Sequence, residues 1–185
     1  MATVPGFPAW AGAGSANLLC FVGSWLFTTA AGMQLALASR THRLEWGAAA
    51  VQFAGTLLFN VSTGAAVWVH AVRPERDDVW VPDATGSLFF LISGVLAVGA
   101  VGAAGHDLRS PDWGAAVINL TGCVAFAVSA VAAFVRADGV TADERLANLG
   151  TFVGALCFLT ACFLTAALIA LPPPRSRRVV PDSSG

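Results

Sequence analysis

Residues 52–63, QFAGTLLFNVST, place a glycine, two phenylalanines and five side chains able to hydrogen-bond inside a long run of apolar residues. Residues 47–71 around them carry no charged residue, and a stretch of roughly 20 apolar residues is what a helix needs to cross a bilayer. Four more such runs lie at 15–38, 83–104, 113–135 and 148–171. None shows the alternation of a β-barrel strand, and Ala and Leu dominate, so each reads as a helix.

Composition agrees. Charged residues make up 11% of the 185, and mean hydropathy is +0.71. A soluble domain carries about 25% charged residues. The connections are short and hold nearly all the charge: SRTHRLEW, RPERDDVWVP, GHDLRSPDW and RADGVTADERLA. Short connections make consecutive spans antiparallel neighbours. The expected fold class is therefore all-α: an integral membrane up-and-down bundle of five transmembrane helices over 15–171. It follows a lead-in at 1–14, and a polar, Arg-containing, disordered tail at 172–185 follows it. With no basic residue ahead of the first run, that run reads as a retained span and not a cleaved signal. Asp83, after Pro82, is placed to cap the third span, and Pro111 with Asp112 to open the fourth. Trp46, Trp80 and Trp113 sit at span ends, where an indole favours the interface.

All ten basic residues are Arg, and Lys and Tyr are absent, as in proteins of GC-rich bacterial genomes. Net charge is −1, which implies no nucleic-acid surface. Arg40, Arg43, Arg109, Arg175, Arg177 and Arg178 share the side of the C-terminus, against Arg73, Arg76, Arg136 and Arg145 on the other. The bias places the C-terminus in the cytoplasm and the N-terminus outside the cell membrane.

The motif of residues 52–63 is repeated. Aligned on glycine, the spans read FVGSWLFTTA, FAGTLLFNVS, ATGSLFFLIS, LTGCVAFAVS and FVGALCFLTA. The pairs are Gly23/Phe27, Gly55/Phe59, Gly86/Phe90, Gly122/Phe126 and Gly154/Phe158, one per span. Nineteen glycines and twelve phenylalanines over 185 positions would give about 1.2 such pairs by chance. Polar or small residues recur three before each glycine (Cys20, Gln52, Asp83, Asn119, Thr151) and seven after it (Ala30, Ser62, Ser93, Ser129, Ala161). Those offsets share one helix stripe, the expected packing seam, where small residues let backbones approach. The five rings should then meet at similar depth, each glycine receiving a neighbour's ring. Gly150 with Gly154 adds a second site of close approach. RLEWGAAAVQFAG in the second span also resembles RSPDWGAAVINLTG in the fourth, so helices 1–2 and 3–4 read as a tandem hairpin duplication with helix 5 a further half-unit.

The G-S/T-x-x-F helices and the QFAGTLLFNVST stretch resemble small multi-pass proteins of actinobacteria, some of the YrhK-like domain type. The resemblance covers most of 15–171. It implies a membrane topology and supplies no catalytic residues.

Candidate binding residues lie on the polar face of the second span: Gln52, Thr56 and Asn60 at i, i+4 and i+8, then Thr63, with Gln34 late in the first span and Asn119 early in the fourth. Carboxamides and hydroxyls satisfy one another across helices, so interhelical bonding is the plain expectation and a solute site the sharper one. Asn60 stands apart, at mid-span and without an equivalent elsewhere. No charged residue falls at mid-membrane, which argues against proton-coupled carriers. His42, His70 and His106 are not placed as facing haem ligands, the four cysteines lie in apolar runs without zinc spacing, and no catalytic motif is present. No enzyme activity, cofactor or metal is expected. The expected role is that of a non-enzymatic membrane protein acting by interaction, as a small subunit or homo-oligomer with the lipid bilayer and a membrane-protein partner around it. The alternative is a small channel or carrier for a neutral or apolar solute, using the polar face of the second helix.

Overall fold

Inside a bilayer no water satisfies backbone N–H and C=O groups, so a spanning chain closes its own hydrogen bonds as helix. The computed structural model describes residues 13–68, 75–105 and 107–170. Its five long helices are α1 (Ala13–Leu37), α2 (Arg43–Trp68), α3 (Val81–Ala103), α4 (Pro111–Ala132) and α5 (Glu144–Ala170). A π-helical segment, Glu75–Trp80, runs directly into α3. All five are long and apolar enough to cross a membrane, the mark of a multi-pass membrane protein. Among the described residues the only β feature is an isolated bridge between Val135 and Thr141, in the turn from α4 to α5.

Helix ends differ from those expected, mostly by starting earlier. The second begins at Arg43 and the fifth at Glu144, while the third is helical from Glu75. Hydropathy marks only the apolar length of a helix, and charged first turns extend beyond it. Asp83 is consequently no cap. Helical backbone already precedes it, α3 begins after Trp80 with no side-chain cap, and Asp83 lies within the first turn. At the fourth helix Ser110 accepts from the Trp113 N–H at 3.2 Å, with Pro111 following. Asp143 does the same for α5, its carboxylate accepting from the Leu146 N–H at 3.0 Å. His70, His106, Arg73 and the whole of 172–185 lie outside the described residues.

The side chains are distributed inside out relative to a soluble protein. Buried positions include Ser24, Thr28, Gln52, Thr56, Asn60 and Thr63, and the buried hydrophobics are mostly alanines, with Phe90, Phe126 and Phe158 the large side chains among them. Leu18, Leu26, Met33, Leu57, Val95 and Phe163 face outward. Water would reverse that preference; lipid does not, because tails are as apolar as leucine and association rests on packing and hydrogen bonds.

Each helix packs extensively on its sequence neighbour, with α2–α3 and α4–α5 in the closest association. At the centre, rings from all five helices meet. Phe90 contacts Phe27, Phe59, Phe126 and Phe158 at centroid distances of 5.5, 6.4, 5.7 and 5.7 Å. Phe158 stacks on Phe27 at 5.0 Å and on Phe126 at 5.3 Å.

Candidate functional site

Glycines make room for three of the five central rings, so the expectation that every motif glycine receives a ring fails at Gly23 and Gly86. A methyl group on Gly55 would meet the Phe90 ring at 2.7 Å, on Gly122 the Phe158 ring at 3.0 Å, and on Gly154 the Phe126 ring at 2.5 Å. Backbones also meet: the Cβ position of Gly86 is 3.0 Å from the Gly55 carbonyl, and that of Gly154 is 3.1 Å from the Gly122 carbonyl. Gly150 abuts Ala125 and Ser129 on α4. Glycine therefore pairs with glycine between α2 and α3 and again between α4 and α5.

The same two pairs share a hydroxyl bond. Ser93, seven after its glycine, donates to the Ala48 carbonyl, seven before the glycine of α2, at 2.8 Å. Ser129 donates to the Ala147 carbonyl at 2.6 Å, at the same offsets between α4 and α5, and lies 2.7 Å from the Thr151 hydroxyl. In α1, by contrast, nothing lies within 4 Å of a Cβ placed on Gly23.

Around this packing the polar residues divide into two groups. One group is satisfied. Thr56, fully buried, donates to the Phe53 carbonyl at 2.7 Å, back-bonding within its own helix. Thr63 donates to the Phe59 carbonyl at 2.8 Å and reaches the Ser24 hydroxyl on α1 at 3.0 Å. Asn17 donates to the Ala66 carbonyl at 2.7 Å. Ser87 donates to the Phe126 carbonyl at 3.4 Å, and the Trp80 indole to the Ala130 carbonyl at 2.8 Å. Trp80 is thus tied to the end of α4, beside Phe134, over which the Arg76 guanidinium lies at 4.6 Å. The other two tryptophans of the span ends also have partners: the Arg40 guanidinium lies 5.8 Å from the Trp46 ring, and Trp113 reaches Gly102.

The second group is not satisfied. Asn60 is 7% exposed, and neither its amide nitrogen nor its oxygen has a hydrogen-bond partner. The Gln52 oxygen and the Thr28 hydroxyl are in the same position, on residues 5% and 7% exposed. A buried polar group left unpaired costs about 1–3 kcal/mol. These three side chains hold the buried polar atoms that find no hydrogen-bond partner among the described residues.

Contacts between α1 and α2 run in opposite directions along the two helices: Asn17 to Ala66, Phe21 to Gly64, Ser24 to Thr63, Gly32 to Phe53. Thr28 follows Ser24 by one turn and Asn60 precedes Thr63 by about one turn. Antiparallel register therefore brings Thr28 and Asn60 to one level of the α1–α2 seam.

Of the residues singled out from sequence, the structure unites Gln52, Thr56, Asn60 and Thr63 on the buried side of α2. Gln34 and Asn119 do not join them. Gln34 is exposed on α1, and Asn119 makes only a long contact, 3.9 Å, to the Cys123 sulfur one turn along its own helix. Thr28 is the residue sequence reading missed. Its signal was the S-x-x-x-T spacing of Ser24 and Thr28, which becomes informative once Ser24 is known to face Thr63. His42 is exposed in the α1–α2 turn, and no three His, Cys, Asp or Glu residues among those described gather as metal ligands. No protein-family model, curated protein or solved structure matches the chain.

Proposed function

We propose that the chain is a non-enzymatic integral protein of a bacterial cell membrane that works by interaction, as a small subunit or as a homo-oligomer. The observation that carries this reading is the filled centre: five phenylalanines in one connected group of ring contacts, three of them seated against glycines, occupy the level where a pore through one chain would run. In this reading the helices form an up-and-down bundle with the N-terminus outside and the C-terminus in the cytoplasm. The bundle descends from a duplicated hairpin. Matching glycine contacts and serine bonds favour α2–α3 and α4–α5 as the repeated unit, with α1 the additional helix, in place of the pairing 1–2 and 3–4. The resemblance to YrhK-like proteins is compatible with that topology. Native mass spectrometry of the protein with lipids and co-purifying chains retained tests the reading. A second copy or a stoichiometric partner is the expected result, and a bare monomer under all lipid conditions would end it.

A second reading is favoured by Asn60. A carboxamide with both ends unpaired inside the bundle suits recognition of a small neutral solute, and the protein would then act as its binder or carrier. Uptake of glycerol and urea by proteoliposomes, compared with an Asn60→Leu variant, separates this from the first reading. Equal rates in both count against it.

A further inference from the structure

We infer that the seam between α1 and α2 opens to admit a small uncharged hydrogen-bonding molecule, which is held by Asn60 and Thr28. The inference rests on the second reading of the function and adds to it a residue, a route and a ligand class. Four observations lead there. Both amide atoms of Asn60 and the Thr28 hydroxyl are buried without a partner. The two residues share one level of the seam, set by the adjacent bond between Ser24 and Thr63. None of these atoms is reachable by water in this conformation, so a partner arrives only if the helices part. Finally, α1 packs extensively on α2 alone, meeting the other helices chiefly through the Phe27 ring against Phe90 and Phe158, and its motif glycine, Gly23, has nothing seated against it.

The ligand class follows from the donor set. Asn60 presents one acceptor and a two-hydrogen donor, and Thr28 a hydroxyl that serves as either. An ion would find no charge to meet here, whereas water or a primary amide can complete both residues at once. α2 stays fixed when the seam opens, because its glycine contact with α3 and the Ser93 bond lie on its other side. Opening is therefore a displacement of α1, with the Ser24–Thr63 bond broken on the way.

The test uses the full chain in lipid nanodiscs with isotope-labelled asparagine side chains, the Asn60 signal being assigned by its loss in Asn60→Leu. Exchange of the Asn60 amide protons with heavy water is followed with and without a lock, a Ser24→Cys/Thr63→Cys disulfide that ties α1 to α2. Exchange about tenfold or more faster than for amides of the phenylalanine centre, abolished by the lock and restored on reduction, is the expected result. Acetamide added to the unlocked protein then separates the two sources: a saturable shift of the Asn60 signal assigns the site to a solute, and exchange with no shift assigns it to water. In Thr28→Val the shift or the protection of Asn60 changes while the protein remains folded. Exchange unaffected by the lock overturns the route but leaves a polar site at Asn60. Protection of Asn60 equal to that of the centre overturns the inference and the second reading together, as does a signal showing Asn60 bonded directly to Thr28.

Discussion

A methyl group on Gly154 would stand 2.5 Å from the Phe126 ring, and that ring cannot retreat, because it lies stacked on Phe158 with an interplanar angle of 13°. Gly154→Ala should therefore destabilise the protein by about 1–3 kcal/mol, the cost of overpacking a filled interior. Gly23→Ala is the control. It meets nothing within 4 Å and gains helix propensity worth up to about 1 kcal/mol. Reversible unfolding in mixed micelles should rank Gly154→Ala below wild type and Gly23→Ala level with it or above.

Phe90 has 0% exposure and touches four of the other rings. Phe90→Ala should cost about 3 kcal/mol, the lower end for a buried phenylalanine. The transfer part of that cost is small in lipid, where a side chain leaving the core stays in hydrocarbon, and the cavity part remains. Unfolding free energies compared with Phe163→Ala, an exposed phenylalanine, check this; a similar loss at both positions would contradict a packed centre.

The Ser93 and Ser129 hydroxyls occupy corresponding places in the two glycine-paired hairpins. Each Ser→Ala change should cost about 0.6 kcal/mol, and no more than about 1.7, the range for hydrogen bonds between membrane helices. Because the two bonds tie separate helix pairs, the double variant should show the sum of the single effects. Marked non-additivity would mean that the two bonds are energetically coupled or that the pairs do not unfold together.

Orientation is checked by reporters. An enzyme active only outside the cytoplasm should be silent when fused after Gly185 and active when placed in the turn at Gly139 only if that turn faces outward, as the arginine bias predicts. Activity after Gly185 would reverse the assignment.

Helix number and approximate placement were legible because a bilayer imposes a local rule: each crossing segment must satisfy its own backbone over a length set by the hydrocarbon thickness. The Gly-x-x-x-Phe stripe was legible for a similar reason, since i and i+4 share a face whatever the helix packs against. Its contacts were not. Gly23 and Gly154 stand in closely similar sequence, FVGSWLF and FVGALCF, yet one is open and the other is pressed on a ring. Helix starts were misjudged where charged first turns carry no hydropathy signal, as at Glu75 and Glu144.

The polar face of α2 draws the same line. Residue type and spacing alone put Gln52, Thr56, Asn60 and Thr63 on one buried side, because helical periodicity is a property of the chain itself. Which of them would be satisfied was settled only by tertiary structure. Thr63 meets Ser24 and Thr56 bonds back to Phe53, while Asn60 and Thr28 reach one level of a seam and remain unpaired. A hydrogen bond needs its partner within about 3 Å and in line. That condition depends on the register between two helices, which no single helix encodes.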